Sequence, residues 1–77
     1  MEGLGANTDR LMRISVNGEE KDPRGAANIA ELVDRYAMSP QAVLIEHNGV
    51  ALHRREWGGR ALADGDRIEI INVVAGG

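Results

Sequence analysis

Residues 64–77 read DGDRIEIINVVAGG, and this stretch decides how the rest of the chain is arranged. Asp64-Gly65-Asp66 carries turn chemistry: aspartate side chains bond nearby backbone, and glycine tolerates positive φ. Residues 67–74 follow, rich in Ile and Val, and predict a strand. Ala75, Gly76 and Gly77 then finish the sequence with no side chain larger than a methyl group. A strand of this kind needs other elements to cover it, and these lie upstream.

Residues 12–17 alternate, with Met12, Ile14 and Val16 on one face and Arg13, Ser15 and Asn17 on the other. Period two predicts a strand with one buried face. Asn17-Gly18 is a two-residue hairpin signal, because both residues tolerate positive φ. The return strand over residues 19–22 is almost wholly charged, as suits a sheet edge, and Pro23 and Gly25 end it. Ile29, Leu32, Val33, Tyr36 and Ala37 then make one apolar stripe at helical spacing. Asn28 stands at the N-cap with Glu31 three residues on, and Ser39-Pro40 is expected to stop the helix. The continuous run Val43-Leu44-Ile45 predicts a strand covered on both faces. Asn48-Gly49 gives a second turn, residues 50–52 a short strand, and residues 53–59 a loop or single helical turn.

The resulting class is α+β: a mixed four- to five-stranded sheet with one main helix on one face. With the first and last strands side by side in the centre, this is the β-grasp (ubiquitin-like) layout. The length of 77 residues supports one domain with a thin core. Residues 1–11 lack periodic apolar positions and are expected to be a flexible extension, with Met12 a candidate start; residues 12–77 form the domain, with a mobile Gly-Gly tail.

Composition removes several functions. There is no cysteine, which excludes disulfides, thiolate metal sites and a nucleophilic thiol. The net charge of −3 is the wrong sign for a nucleic-acid binder of this size. No apolar run approaches the ~20 residues of a membrane span, and the N-terminus does not read as a secretory signal; a cytoplasmic location is expected.

Catalytic constellations are weak. His47 and His53 flank a turn at no metal-ligand spacing and read as surface histidines. Asp64 and Asp66 read as turn formers. Trp57 lies among Arg54, Arg55 and Arg60, and its large apolar ring reads mainly as a plug for one end of the core. Arg54, Arg55 and Trp57 are also the candidate partner-docking residues, because tryptophan and arginine are frequent at binding hot spots.

The last two residues carry the sharper signal. Two glycines at the end arise by chance in about one chain in two hundred. Lacking Cβ, Gly76 and Gly77 can thread a narrow channel in another protein. A terminal carboxyl has a pKa near 3.5, so at neutral pH it is an ionised, poor electrophile that an enzyme has to activate.

From Met12 to Gly77 the sequence resembles the ThiS family, sulfur carriers of thiamine biosynthesis. The resemblance rests on MRISVNG at residues 12–18, HNGVALHRREW at residues 47–57, and DGDRIEIINVVAGG at residues 64–77. His53 departs from it, since the family commonly has proline there. The resemblance implies a β-grasp fold and a carrier that is not itself an enzyme and binds no cofactor. It implies that an E1-like adenylyltransferase (ThiF-like) uses ATP and magnesium to adenylate the Gly77 carboxylate. A persulfide donor then leaves a thiocarboxylate, and a thiazole synthase (ThiG-like) takes the sulfur. Gly76, Ala75, Val74 and Val73 are the residues that would occupy the partner's channel. Sister carriers for molybdopterin or cysteine synthesis share this tail chemistry, and a ubiquitin-like modifier conjugated to lysines shares the fold.

Overall fold

The structure, a computed structural model, describes residues 12–73. Strand β1 (Ile14–Val16) turns through Asn17-Gly18 into β2 (Glu19–Lys21). Helix α1 (Ile29–Arg35) follows, then a 3-10 turn at Pro40–Ala42, β3 (Val43–His47) and β4 (Val50–Leu52). A second 3-10 segment, Arg54–Gly59, leads to β5 (Arg67–Asn72). The five strands form one sheet in the order β2-β1-β5-β3-β4. β1 and β5 run parallel at the centre, with Ser15 opposite Arg67 and Val16 opposite Ile68. β5 also pairs antiparallel with β3 from His47–Ile68 to Val43–Asn72. This is the β-grasp arrangement that the alternation and turns predict.

The charged edge is where the sequence places it. β2 reads Glu-Glu-Lys and pairs only with β1 among the described strands. Charges along an open edge discourage pairing with another chain. One face of the sheet packs on α1. Ile14, Ile45 and Ile68 from the sheet meet Ile29, Leu32 and Val33 from the helix, with Trp57 and Leu62 closing one end. Burying each of these side chains contributes about 1.5–3 kcal/mol. Asn28 Oδ1 accepts the Glu31 N–H at 2.9 Å and Glu31 Oε1 accepts the Ala27 N–H at 2.8 Å, so the helix start is capped as expected.

Three expectations are corrected. The helix stops at Arg35, ahead of Ser39-Pro40. Ala37 takes a left-handed conformation (φ 57°), its N–H donates to the Asp34 carbonyl, and the Met38 N–H donates to the Val33 carbonyl. That pair of bonds is a Schellman closure, formed without glycine. Second, β3 is covered on one face only: Val43 and Ile45 are buried, whereas Leu44 points to solvent. One helix can cover only one side of a sheet. Third, His47 is not a surface residue; it shares the core-facing register of Val43 and Ile45 and is buried.

Candidate functional site

β5 carries the end of the chain. Its ladder with β3 continues to the last described residue, where the Val73 N–H donates to the Ala42 carbonyl at 2.7 Å. The strand is therefore held on its β3 side up to the point where the tail begins. Val73 is half exposed. Val74, Ala75, Gly76 and Gly77 lie outside the described residues, as do residues 1–11.

Beside this exit, on the face away from α1, lies an apolar pair. Leu44 and Ile71 are cross-strand partners and are 57% and 51% exposed. One step further, Glu46 faces Glu69. Like charges directly opposite each other on a sheet are unfavourable. Among the described residues neither glutamate has a lysine or arginine within 4.0 Å. An apolar pair with two carboxylates on one side, near the last described residue, is a surface suited to a partner with apolar and basic groups. Reading residues 43–45 as doubly covered hid Leu44. The period of two was the available signal, because Val43 and Ile45 cannot face the helix unless Leu44 faces away.

The docking candidates divide. Arg54 and Arg55 are exposed on the 3-10 segment, and no carboxylate pairs with them among the described residues. Trp57 is 4% exposed and packs in the core, so its ring is spent on the fold. Its indole N–H is buried and has no hydrogen-bond partner among the described residues.

A polar cluster holds the base of β5. Arg60 Nε donates to His47 Nδ1 at 3.2 Å, which assigns the ring proton to Nε2; His47 then donates to Asp66 Oδ2 at 2.7 Å. Asp66 also accepts from Asn48 Nδ2 at 3.0 Å and from the Ala63 N–H at 2.8 Å. Burial pushes the Asp66 carboxyl up, but the bonds from His47, Asn48 and Ala63 outweigh it and hold the pKa below the ordinary aspartate value. Both Asp66 oxygens are engaged internally and no Ser, Thr or Cys hydroxyl or thiol bonds to the cluster among the described residues, so the cluster is a structural clasp. Asp64 sits in the turn before β5, but its side chain works at long range instead of locally: its Oδ1 accepts the Arg13 N–H at 2.8 Å, tying the turn to the start of β1. Among the described residues no group of three or more His, Cys, Asp or Glu is placed to hold a metal, and no helix is long and apolar enough to cross a membrane.

The comparisons with known proteins agree with this geometry. The sequence model of the ThiS family matches residues 6–77, and the chain belongs to that family. It is similar to the crystal structure of the thiamine biosynthesis protein ThiS from Geobacter metallireducens. That match has a TM-score of 0.73 at 30% identity and covers 86% of this chain and 100% of the other. It is 27% identical over 66 residues to a thiazole synthase of Magnetococcus marinus, covering 86% of this chain and 20% of that protein. The chain thus spans about a fifth of the length of that relative. It is also 24% identical over 62 residues to the uncharacterised protein ycf40 of Trieres chinensis, covering 80% of this chain and 85% of that one.

Proposed function

We propose that this member of the ThiS family is a sulfur carrier of thiamine biosynthesis, with the carboxylate of Gly77 as its working group. The observation that carries the reading is the family match, which extends through Gly77, five residues beyond the end of β5 in the sequence. An E1-like adenylyltransferase joins the carboxylate to AMP, releasing pyrophosphate from ATP. The outer sulfur of a partner's persulfide attacks the activated carbon and AMP leaves, giving an acyl disulfide. A second thiol, also supplied by a partner, attacks the inner sulfur, forms a disulfide with it and releases the thiocarboxylate on Gly77. Thiazole synthase then receives the sulfur. A stretch like this chain inside a protein named thiazole synthase supports that enzyme as the acceptor. The carrier contributes no catalytic group; it supplies a terminal carbon with no side chain to hinder attack.

The Leu44–Ile71 pair and its flanking glutamates are the surface on which the adenylating enzyme docks, with Val73, Val74, Ala75 and Gly76 in its channel. Arg54 and Arg55 serve a second contact. The absence of cysteine gives the chain no thiol of its own, so the sulfur arrives from a partner.

The test is intact-mass measurement after incubation with a ThiF-like adenylyltransferase, ATP, magnesium and a persulfide donor. The expected product has one oxygen replaced by sulfur, and the starting mass shows whether Gly77 ends the working protein. A mass that never changes sinks the reading. A thiocarboxylate accepted by molybdopterin synthase and refused by thiazole synthase would move the chain to a sister pathway. Isopeptide adducts on lysines would make it a modifier.

A further inference from the structure

Asn17-Gly18 and Asn48-Gly49 form two hairpin turns, and both asparagines adopt φ 52°. That conformation accounts for the dipeptides as turns. It does not account for where the side chains go. Both reach β5, a strand that belongs to neither hairpin. Asn48 Oδ1 accepts the Arg67 N–H at 2.7 Å and so holds the start of β5. Asn17 holds it further along: its Oδ1 accepts the Ile70 N–H at 2.7 Å and its Nδ2 donates to the Ile70 carbonyl at 3.1 Å. One side-chain amide thus satisfies both backbone groups of one residue, as a neighbouring strand would.

The place matters. The register of β1 against β5 ends at Val16–Ile68, because β1 turns away into its hairpin. Asn17 carries the pairing on to Ile70 after the strand has run out. On the other side, β3 holds β5 through the Val73–Ala42 bond. We propose that Asn17 is a positioning residue for the tail: its amide completes the two-sided grip on β5 at Ile70 and so fixes the direction of the strand from which the tail follows. This rests on the carrier reading. Without the amide, the end of β5 is gripped from one side and pivots. A partner then captures a correctly aimed tail less often, while a captured tail reacts as before.

The experiment compares Asn17→Gly, Asn17→Asp and Asn48→Gly with the wild-type chain. Glycine keeps the positive φ that the turn needs, so only the amide is removed. In Asn17→Gly, hydrogen exchange at the Ile70 amide rises about fivefold. KM for the carrier in the adenylation reaction rises by about the same factor, with kcat within about twofold. Asn17→Asp keeps the acceptor, restores protection of the Ile70 amide and recovers part of the KM. Asn48→Gly loosens the Arg67 amide and leaves KM within about twofold. An unchanged KM in Asn17→Gly despite faster exchange at Ile70 overturns the positioning role, as does an equal rise in Asn48→Gly. If the wild-type chain is not adenylated at all, the carrier reading fails; the exchange rate at Ile70 separates that failure from a failure of the grip.

Discussion

Both faces of the β3–β5 ladder carry branched apolar residues, and those residues meet opposite surroundings. On the inner face Val43, Ile45 and Ile68 are buried under α1. On the outer face Leu44 and Ile71 stand in solvent with Glu46 and Glu69 beside them. The apolar residues alone do not distinguish the faces; the presence of a second layer does. The inner face holds the fold, and the outer face keeps its apolar pair exposed. Substitutions that treat the two faces alike should therefore give unlike results.

The largest effect is expected from Ile45→Asp, which puts an unpaired carboxylate into a core whose total margin is about 3–5 kcal/mol in a domain of this size. Circular dichroism should show no cooperative melting; a sharp transition would mean that the inner face tolerates charge and that the contrast is false. Next is the clasp at the base of β5. Asp66→Ala leaves the donors of His47, Asn48 and Ala63 without their acceptor and should cost about 2–3 kcal/mol by urea denaturation. Acid probes the same group. The pKa of Asp66 is lower in the folded state, so its contribution is present above the unfolded-state value near 4 and is lost as pH falls through the folded value. Stability that rises on acidification from pH 5 to pH 3 would contradict this.

A smaller effect, of opposite sign, concerns the layer that makes the inner face a core. Ala37 is left-handed at the end of α1, so Ala37→Gly relieves strain and should stabilise the fold by about 0.5–1 kcal/mol. A lower melting temperature would show that the closure depends on the methyl group. The smallest stability effect belongs to the outer face: Leu44→Ser should shift unfolding by less than about 0.5 kcal/mol. Its effect on binding should be far larger, with KM for adenylation rising about tenfold. A variant that melts normally and is adenylated normally removes the outer face from the docking surface.

Much of this was legible in the sequence. The alternation of residues 12–17, the two Asn-Gly turns and the stripe on α1 give the strand order and the single helix. The Asn28 cap was readable because capping needs only local chemistry. What was hidden depends on the number of layers or on distant partners. Val43-Leu44-Ile45 reads the same whether one face or both are covered. His47 is polar, yet its register with Val43 and Ile45 carries it inside, and only the folded chain reveals that Asp66 and Arg60 wait there. Alanine at the helix end gives no stop signal, because Ala37 is closed off by bonds formed only after the turn is made. The reach of Asn17 to a residue 53 positions away is invisible to any local pattern.

That separation bears on the order of events during synthesis. β5 is the last described strand to be made, and it is the middle strand of the sheet. A ribosome delivers β1, β2, α1, β3 and β4 before it, leaving two hairpins and a helix around a vacant centre. The sheet closes only when the strand that leads to the tail arrives and fills the gap, a late long-range step that is intrinsically slow. A chain released early lacks its keystone, so closure of the whole sheet waits on the last described strand, and a truncated chain is left as separate hairpins with their apolar faces open.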